Sequence, residues 1–368
     1  MGRPVSVGII GCGSVSRVYI PHLQRLNIPR QRVEIVLVSD IAEERREVMA
    51  KERGITAFTT DYREVINHPD IDLILILAPM QVHGQFTREA LNAGKHVLVE
   101  KPLSMSLTEA AELVELAKTS KGYLLCAPHV VLSPTYQAMW KRLDRGDIGK
   151  VSLARGFYGW AGPWWGEWYY RPGGGSMFDL GVYNVTSLTG LLGPAKRVTA
   201  MSGVANKERE VNGKTVKVES HDNAHLLLDF GDATYAVVTT GFTIQKYRNY
   251  GLELYGNTGT LNMIGEDWAP KGYEMWQNKT GSWQIFEEGS NWPWSDGIRH
   301  MIDCIETGTK PVITPEHAYH VLEIMVKSME SGDTGQALAI ESTFTPPRFD
   351  DADLLDGGAH LAHDPGSH

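Results

Sequence analysis

The sequence predicts an α/β fold in two parts: a helix-covered parallel sheet up to residue 126, then an α+β domain with an antiparallel or mixed sheet. Three observations carry this. Short, almost continuously apolar runs alternate with helical-period segments over the first 126 residues, as buried parallel strands and their crossover helices do. Beyond residue 127 the runs become apolar/polar alternations separated by turn signals. A glycine-rich turn, Gly11-Cys12-Gly13, joins the first run to the first helical segment.

Taken in order, residues 5–10 read as a strand and 15–26 as a helix. A strand at 33–38 ends at Asp40, and a charged helix follows at 42–53. The strongest apolar strand spans 71–78 and leads into a helix at 82–93. A strand at 96–99, a helix at 107–120 and a strand at 122–126 complete the first domain, residues 1–126. A helix at 134–145 opens the second domain, residues 127–345. Its strands are expected at 151–158, 197–204, 224–230, 234–243, 251–255 and 260–264, with helices at 181–192, 294–307 and 315–331. From 346 to 368 the chain is rich in Asp, Gly and His and poor in large apolar residues, so a disordered tail is expected.

The 368 residues are 42% hydrophobic and 21% charged, which suffices for two ordinary domains with a sizeable core. A net charge of −9 argues against non-specific contact with nucleic acid or an anionic membrane surface, while one local basic site would still admit an anionic small substrate. Cys12, Cys126 and Cys304 are scattered and show no zinc-ligand or disulfide spacing. No apolar run approaches the roughly 20 residues of a membrane helix. The chain enters its first strand almost at once, without a charged leader or cleavage site, so a cytoplasmic protein with no metal site is expected.

The turn Gly11-Cys12-Gly13-Ser14-Val15-Ser16 suits a dinucleotide pyrophosphate. The first glycine permits the tight turn and the second lets the backbone approach the anion. Ser14 and Val15 then lead into a helix N-terminus with free N–H groups. The third glycine of the fingerprint is Ser16 here, at a position that serves helix–strand packing and tolerates a small residue. Asp40, ending the second strand, can accept hydrogen bonds from the adenosine ribose and repels a 2′-phosphate, which favours NAD. It can equally cap the helix that follows. Arg45 and Arg46 on that helix keep NADP open.

Two further stretches extend the pattern: Ala78-Pro79-Met80-Gln81-Val82-His83, and Ala93-Gly94-Lys95-His96-Val97-Leu98-Val99-Glu100-Lys101-Pro102. Together with the glycine turn, they make the chain resemble the Gfo/Idh/MocA oxidoreductases over residues 5–340. The resemblance implies a Rossmann domain followed by an α+β domain with a large, mostly antiparallel open sheet. One sheet face would serve as an oligomer interface, giving a homodimer or homotetramer. It also implies that Ala78, Pro79, His83, Glu100 and Lys101 lie along the cofactor. Lys101 would stand near the nicotinamide and the reacting hydroxyl, where an ammonium steadies a developing alkoxide.

The segment Gly173 to Asn184 resembles the family's second signature, Asp-x-Gly-x-His, with Asp179 at its start and Tyr183 at the usual histidine position. Asp179 and Tyr183 are four residues apart and face the same way on a helix. Removing hydride from a carbinol carbon requires loss of the hydroxyl proton. A tyrosine with an unperturbed pKa of about 10 needs help to accept it; Lys101 and an oxidised nicotinamide are expected to favour its phenolate. Packing of Tyr183 into the sheet is the alternative. His129 follows the last strand of the first domain and is a candidate substrate ligand or second acid/base, or a satisfied structural histidine.

Tyr158, Trp160, Trp164, Trp165, Trp168, Tyr169, Tyr170 and Arg171 precede the glycine run. Aromatic faces pack on the C–H faces of sugar rings, and an arginine can hold a hydroxyl or carboxylate bidentately. Trp165 and Arg171 are therefore expected at a carbohydrate-like substrate, with a packed interface as the alternative. Trp276, Trp283, Trp292 and Trp294 form a further aromatic group, and His300 is a weaker candidate. The expected activity is NAD(P)-dependent oxidoreduction at the CH–OH of a sugar, inositol or related polyol. The alternatives are an NAD-dependent glycoside-cleaving enzyme working by transient oxidation and elimination, and a non-catalytic NAD-binding sensor.

Overall fold

The computed structural model describes residues 3–349. Strands β1 (Val5–Ile10), β2 (Val33–Ser39), β3 (Phe58–Thr59), β4 (Leu73–Ile76), β5 (His96–Val99) and β6 (Leu124–Cys126) form one sheet. Its order is β3-β2-β1-β4-β5-β6 and every neighbouring pair is parallel. β1 and β4 are buried along their whole length, which is why the sequence there is continuously apolar. Helices α1 (Ser16–Arg25), α2 (Arg45–Arg53), α3 (Tyr62–Ile66), α4 (His83–Asn92) and α5 (Leu107–Thr119) connect the strands. The chain runs outward from β1 in one direction and from β4 in the other. The crevice at their carboxyl ends is therefore the switch point where α/β sheets bind ligands.

The second part holds α6 (Pro134–Asp144), β7 (Val151–Gly159), α7 (Val182–Leu192), β8 (Arg197–Gly203), β9 (Glu208–Val211), β10 (Lys214–Lys217), β11 (Asn223–Gly231) and β12 (Thr234–Gly241). It continues through β13 (Leu252–Gly256), β14 (Gly259–Glu266), β15 (Ala269–Gln277) and β16 (Ser282–Phe286) to α8 (Gly297–Thr307), α9 (Pro315–Thr334) and β17 (Leu338–Ala339). Nine strands make an open sheet in the order β16-β15-β14-β13-β7-β12-β11-β8-β17. Only β7 and β12 pair in parallel, so the sheet is mostly antiparallel. β9 and β10 form a separate hairpin.

Sequence periodicity passes over β3, α3, the β9–β10 hairpin, β15 and β16. The first two are too short to show a period. β16 is exposed at nearly every position and so shows no alternation. The last two helices return to the first part of the chain. α9 packs on both β8 and α5, and α8 packs on α1, so one continuous core runs through both parts. Within the tail expected from 346 onward, Phe349 is buried against Tyr136 and Trp140. That segment packs because Phe349 supplies an aromatic anchor. The remainder of the expected tail, 350–368, lies outside the described residues.

Candidate active site

The glycine turn sits at the carboxyl end of β1. Gly11 has φ +103°, and a Cβ there would come within 2.6 Å of the Leu77 carbonyl, so this position requires glycine. A Cβ on Gly13 would meet nothing within 4 Å; the turn is an open cradle on that side, fitting the close approach of a pyrophosphate. Ser14 and Val15 lead directly into α1, and Ser14 O accepts from Arg17 N–H. Ser16 is fully buried and its hydroxyl donates to Gly13 O at 2.7 Å, which explains how serine replaces the third glycine. The Asp40 carboxylate accepts from the N–H of Cys12 at 2.8 Å and of Ala42 at 3.0 Å. It thus fastens the turn and caps the following segment while remaining partly exposed. Arg46 is engaged with Glu43 and the Phe58 carbonyl, which leaves Arg45 as the arginine on that helix nearer the turn.

The loop after β4 and the turn after β5 are braced together by His83. Its Nδ1 lies 2.7 Å from Pro102 O and its Nε2 2.8 Å from Ala78 O. The ring is 1% exposed and burial holds its pKa down, although both carbonyls favour the charged form. Histidine 83 therefore works behind the loop that Ala78 and Pro79 begin, not at its face. The Lys101–Pro102 peptide is cis. Glu100 is also buried: its Oε1 accepts from the Tyr19 hydroxyl at 2.7 Å and its Oε2 from Lys101 N–H at 3.2 Å. It ties α1 to the turn.

Lys101 Nζ donates to both the backbone carbonyl and the carboxylate of Asp179, each at 2.9 Å. Asp179 lies in a π-helical turn, Met177–Gly181, that runs straight into α7; such one-turn expansions recur at functional sites. Lys101 Nζ is 5.3 Å from the centre of the Tyr183 ring, so the three residues singled out from the sequence converge. Burial opposes the lysine's charge, but Asp179, Tyr169 and Glu100 outweigh it and raise its pKa. The expectation of a favoured phenolate at Tyr183 is reversed among the protein's own groups. Burial raises the phenol's pKa well above the usual value, and Glu100, Asp179 and Asp267 add to the rise. Three carboxylates outweigh one ammonium that is already paired.

The glycine run brings the aromatic loop onto this turn. Gly175, at φ +98°, donates its N–H to Tyr169 O at 2.7 Å. A Cβ on Gly174 would collide with the same carbonyl at 2.5 Å. Tyr169 is close enough to Asp179 and Lys101 for their charges to act on its hydroxyl. Tyr158 meets Tyr183 edge-on, with ring centres 6.0 Å apart. Trp165 packs against Trp160, Trp164 and Tyr169, forming the outer part of the same wall. The β9–β10 hairpin supports it: Asn212 donates to the carbonyls of Trp164 and Trp165.

Two of the candidates are already engaged by other groups of the protein. Arg171 is engaged by Glu167 and by Glu219 at 3.1 Å, so its fork is already filled by carboxylates. His129 is 1% exposed. Its Nδ1 lies 3.2 Å from Trp294 O, and its ring fills the space that glycine leaves at Gly297. It is enclosed by the returning helix α8, which sequence reading could not place over it. His300 is similarly occupied, accepting from Val312 N–H at 2.9 Å. The site residues overlooked from sequence are Tyr158 and Tyr169, named there only as part of an aromatic cluster, and Asp267, which carries no motif.

Two family models match the chain. One, described as an oxidoreductase family with an NAD-binding Rossmann fold, covers residues 5–127; the other, a GFO/IDH/MocA C-terminal domain, covers residues 136–262. The chain is 28% identical over 344 residues to 1,5-anhydro-D-fructose reductase from Ensifer adhaerens, spanning 91% of this chain and 98% of that protein. It is 25% identical over 350 residues to scyllo-inositol 2-dehydrogenase (NAD(+)) from Bacillus subtilis, spanning 93% and 98%. Its fold matches levoglucosan dehydrogenase, solved with NADH and levoglucosan, with a TM-score of 0.83 at 18% identity over 92% of this chain and all of that one. With its glycine cradle, its lysine–aspartate pair and both domains matched, the chain belongs to the Gfo/Idh/MocA family of NAD-binding oxidoreductases.

Proposed function

We propose that the protein interconverts a CH–OH group and the corresponding carbonyl on a sugar, inositol or related polyol, with NAD as the redox partner. The observation that carries this reading is the seating of Lys101 Nζ on Asp179, with the Tyr183 ring 5.3 Å away, at the carboxyl end of a central strand. Gly11, Gly13 and the start of α1 would hold the pyrophosphate, and Asp40 the adenosine ribose. NAD, when bound, supplies the hydride acceptor or donor.

The residues of the chain supply the proton and the charge. Lys101, charged and held by Asp179, polarises the substrate oxygen. Tyr183 exchanges the proton with that same oxygen. Its resting form is the phenol, so the site at rest is charged for carbonyl reduction: a cation to bind the oxygen and an acid to protonate it. Oxidation requires the tyrosine to give up its proton first. Tyr158, Tyr169 and Trp165 form the wall on which a sugar ring would lie. Net redox is preferred to redox-assisted glycoside cleavage because the relatives described above are named as a reductase and dehydrogenases.

We further propose a homo-oligomer built on the outer face of the nine-stranded sheet. Leu153, Met201, Leu227, Tyr235 and Tyr255 are exposed there, and Tyr255, Leu153 and Tyr235 are direct cross-strand neighbours. A cytoplasmic location fits three buried, unpaired cysteines. Among the described residues, no helix is long and apolar enough to cross a membrane. The test of the activity is a screen of sugars, inositols, anhydro sugars and their keto forms for NADH formation or consumption. Lys101→Ala and Tyr183→Phe are the controls. If a responsive substrate is turned over equally by both variants, this reading of the site is wrong.

A further inference from the structure

Behind Tyr183 lies a second polar cluster that the reaction as described does not use. Asp267 follows β14 and is 1% exposed. Its Oδ2 accepts from Asn184 Nδ2 at 2.8 Å, and the Ser187 hydroxyl lies near the same carboxylate. Asn184 is the residue after Tyr183 in α7. It is held on three sides: by Asp267, by the Gly251 carbonyl at 3.1 Å, and by the space that the missing side chain of Gly156 leaves on β7. Trp268, next to Asp267, stacks on Tyr158 at 6.4 Å, and Tyr158 meets the Tyr183 ring.

We infer that Asp267 is a positioning residue for the hydroxyl-oxidation reaction: through Asn184 it seats the turn that carries Tyr183, and its charge sets how firmly that tyrosine holds its proton. The inference rests on the reading of Tyr183 as the group that exchanges the substrate proton.

The electrostatics agree with the geometry. Burial pushes the Asp267 carboxyl up to about 7, against the hydrogen bond from Asn184 and the nearby Ser187 hydroxyl, with Glu266 adding to the rise. The groups facing Asp267 are thus Asn184 and Ser187 on α7, Glu266 on β14, and the hydroxyls of Tyr158, Tyr183 and Tyr247. Around Tyr183 stand Glu100, Asp179 and Asp267, with Tyr19, Tyr158 and Tyr169 as neutral neighbours and Lys101 as the cation. Asp179 is engaged by Lys101 and Glu100 by Tyr19. The Asp267 carboxyl, pushed up to about 7, changes charge near neutral pH. When it is ionised, Tyr183 keeps its proton; when it is neutral, the tyrosine releases it more readily. In oxidation the substrate O–H bond breaks, its proton passes to the Tyr183 oxygen, and the carbinol hydride with its electron pair passes to NAD. Asp267 takes no part in these bonds and acts only on the tyrosine.

The experiment is the pH profile of kcat/KM for oxidation in wild type, Asp267→Asn and Asp267→Ser, with Tyr183→Phe beside them. Removing the charge is expected to move the acid limb downward by about one pH unit in both Asp267 variants, the size of one like-charge interaction in a partly buried site. Agreement between Asn and Ser separates charge from packing. A uniform loss of rate with an unmoved limb, or no change at all, overturns the inference while leaving the proposed function intact. Equal turnover by Tyr183→Phe and wild type overturns both. An infrared titration needs no turnover and can be run on wild type whether or not the variants fold. A buried carboxyl carbonyl band should appear as pH falls through about 7 and be missing from whichever Asp267 variant folds. Absence of that band in wild type also overturns the inference.

Discussion

Lys101 Nζ contacts Asp179 twice, at the backbone carbonyl and at the carboxylate, both at 2.9 Å. The double contact ties the ammonium to the π-helical turn that leads to Tyr183. Lys101→Ala should lower kcat about 10²- to 10³-fold, the usual cost of one preorganised charge on a developing oxyanion. NADH affinity, read by fluorescence quenching, should change only a few-fold. Lys101→Arg should not restore the rate, because a bulky planar guanidinium does not put its charge where the compact ammonium stands in this buried site. Near-wild-type turnover by either variant would remove Lys101 from the chemistry.

Asp40 holds the glycine turn through Cys12 N–H and also stands where a ribose hydroxyl would be read. The two roles separate by substitution. Asp40→Asn keeps an acceptor for Cys12 but removes the charge that repels a 2′-phosphate. The ratio of kcat/KM for NADP over NAD should rise at least about tenfold, or roughly 1.4 kcal/mol, helped by Arg45 nearby. Asp40→Ala should also lose turn stability and bind both cofactors poorly. An unchanged ratio in Asp40→Asn would mean that Asp40 is only a structural clasp.

Much of this was legible in the sequence because the relevant signals are local. Gly11, Lys101 and Asp179 sit in short motifs whose spacing fixes strand ends and helix starts: Gly11 packs on Leu77, and Lys101 contacts Asp179. What escaped was long-range. The sequence leaves His129 open between a cleft ligand and a structural histidine; α8, which returns from more than 160 residues later, covers it. Arg171 was expected to hold a substrate hydroxyl or carboxylate, but Glu219, just after the β9–β10 hairpin whose short strands carry no readable period, and Glu167 engage it. Asp267 has no motif at all and matters only because α7 crosses β7 at a glycine. The sense of the Tyr183 shift was missed for a related reason. Its neighbours were named as cations, while the fold adds two carboxylates from distant segments, Glu100 and Asp267.

Burial holds several histidines in their neutral form, His83 and His129 among them. Burial holds His22, His300 and His320 down to about 4 and His317 to about 3. The unfolded chain binds protons on these rings as pH falls through about 6.5, and the folded chain does not until near 4. Stability from these groups is therefore fully present above pH 6.5 and is lost progressively between about 6.5 and 4. Asp267 works in the opposite sense over pH 7 to 4, one carboxyl against several histidines. The urea midpoint should stay level between pH 8 and 7 and fall steadily below 6.5, with little change in m. His317→Gln should flatten that slope. A midpoint that holds level down to pH 4.5 would contradict neutral burial of these rings.

The outer sheet face supplies the last prediction. Leu153 on β7 lies between Tyr255 on β13 and Tyr235 on β12, and Leu227 stands beside Val237 one strand further on. All four of Leu153, Leu227, Tyr235 and Tyr255 are more than a third exposed. An apolar row of this kind on a central stretch of sheet is costly in water and self-complementary across a two-fold axis. In such an interface one substitution occurs twice, so Leu227→Arg should place two like charges in apparent contact and split the assembly. Because Leu227 is exposed within one subunit, the same change should leave subunit stability within about 0.5 kcal/mol. Light scattering should give a mass of at least two chains for wild type and a lower mass for Leu227→Arg at equal concentration. A wild type that is monomeric at micromolar concentration, or a variant of unchanged mass, would show that this face does not join subunits.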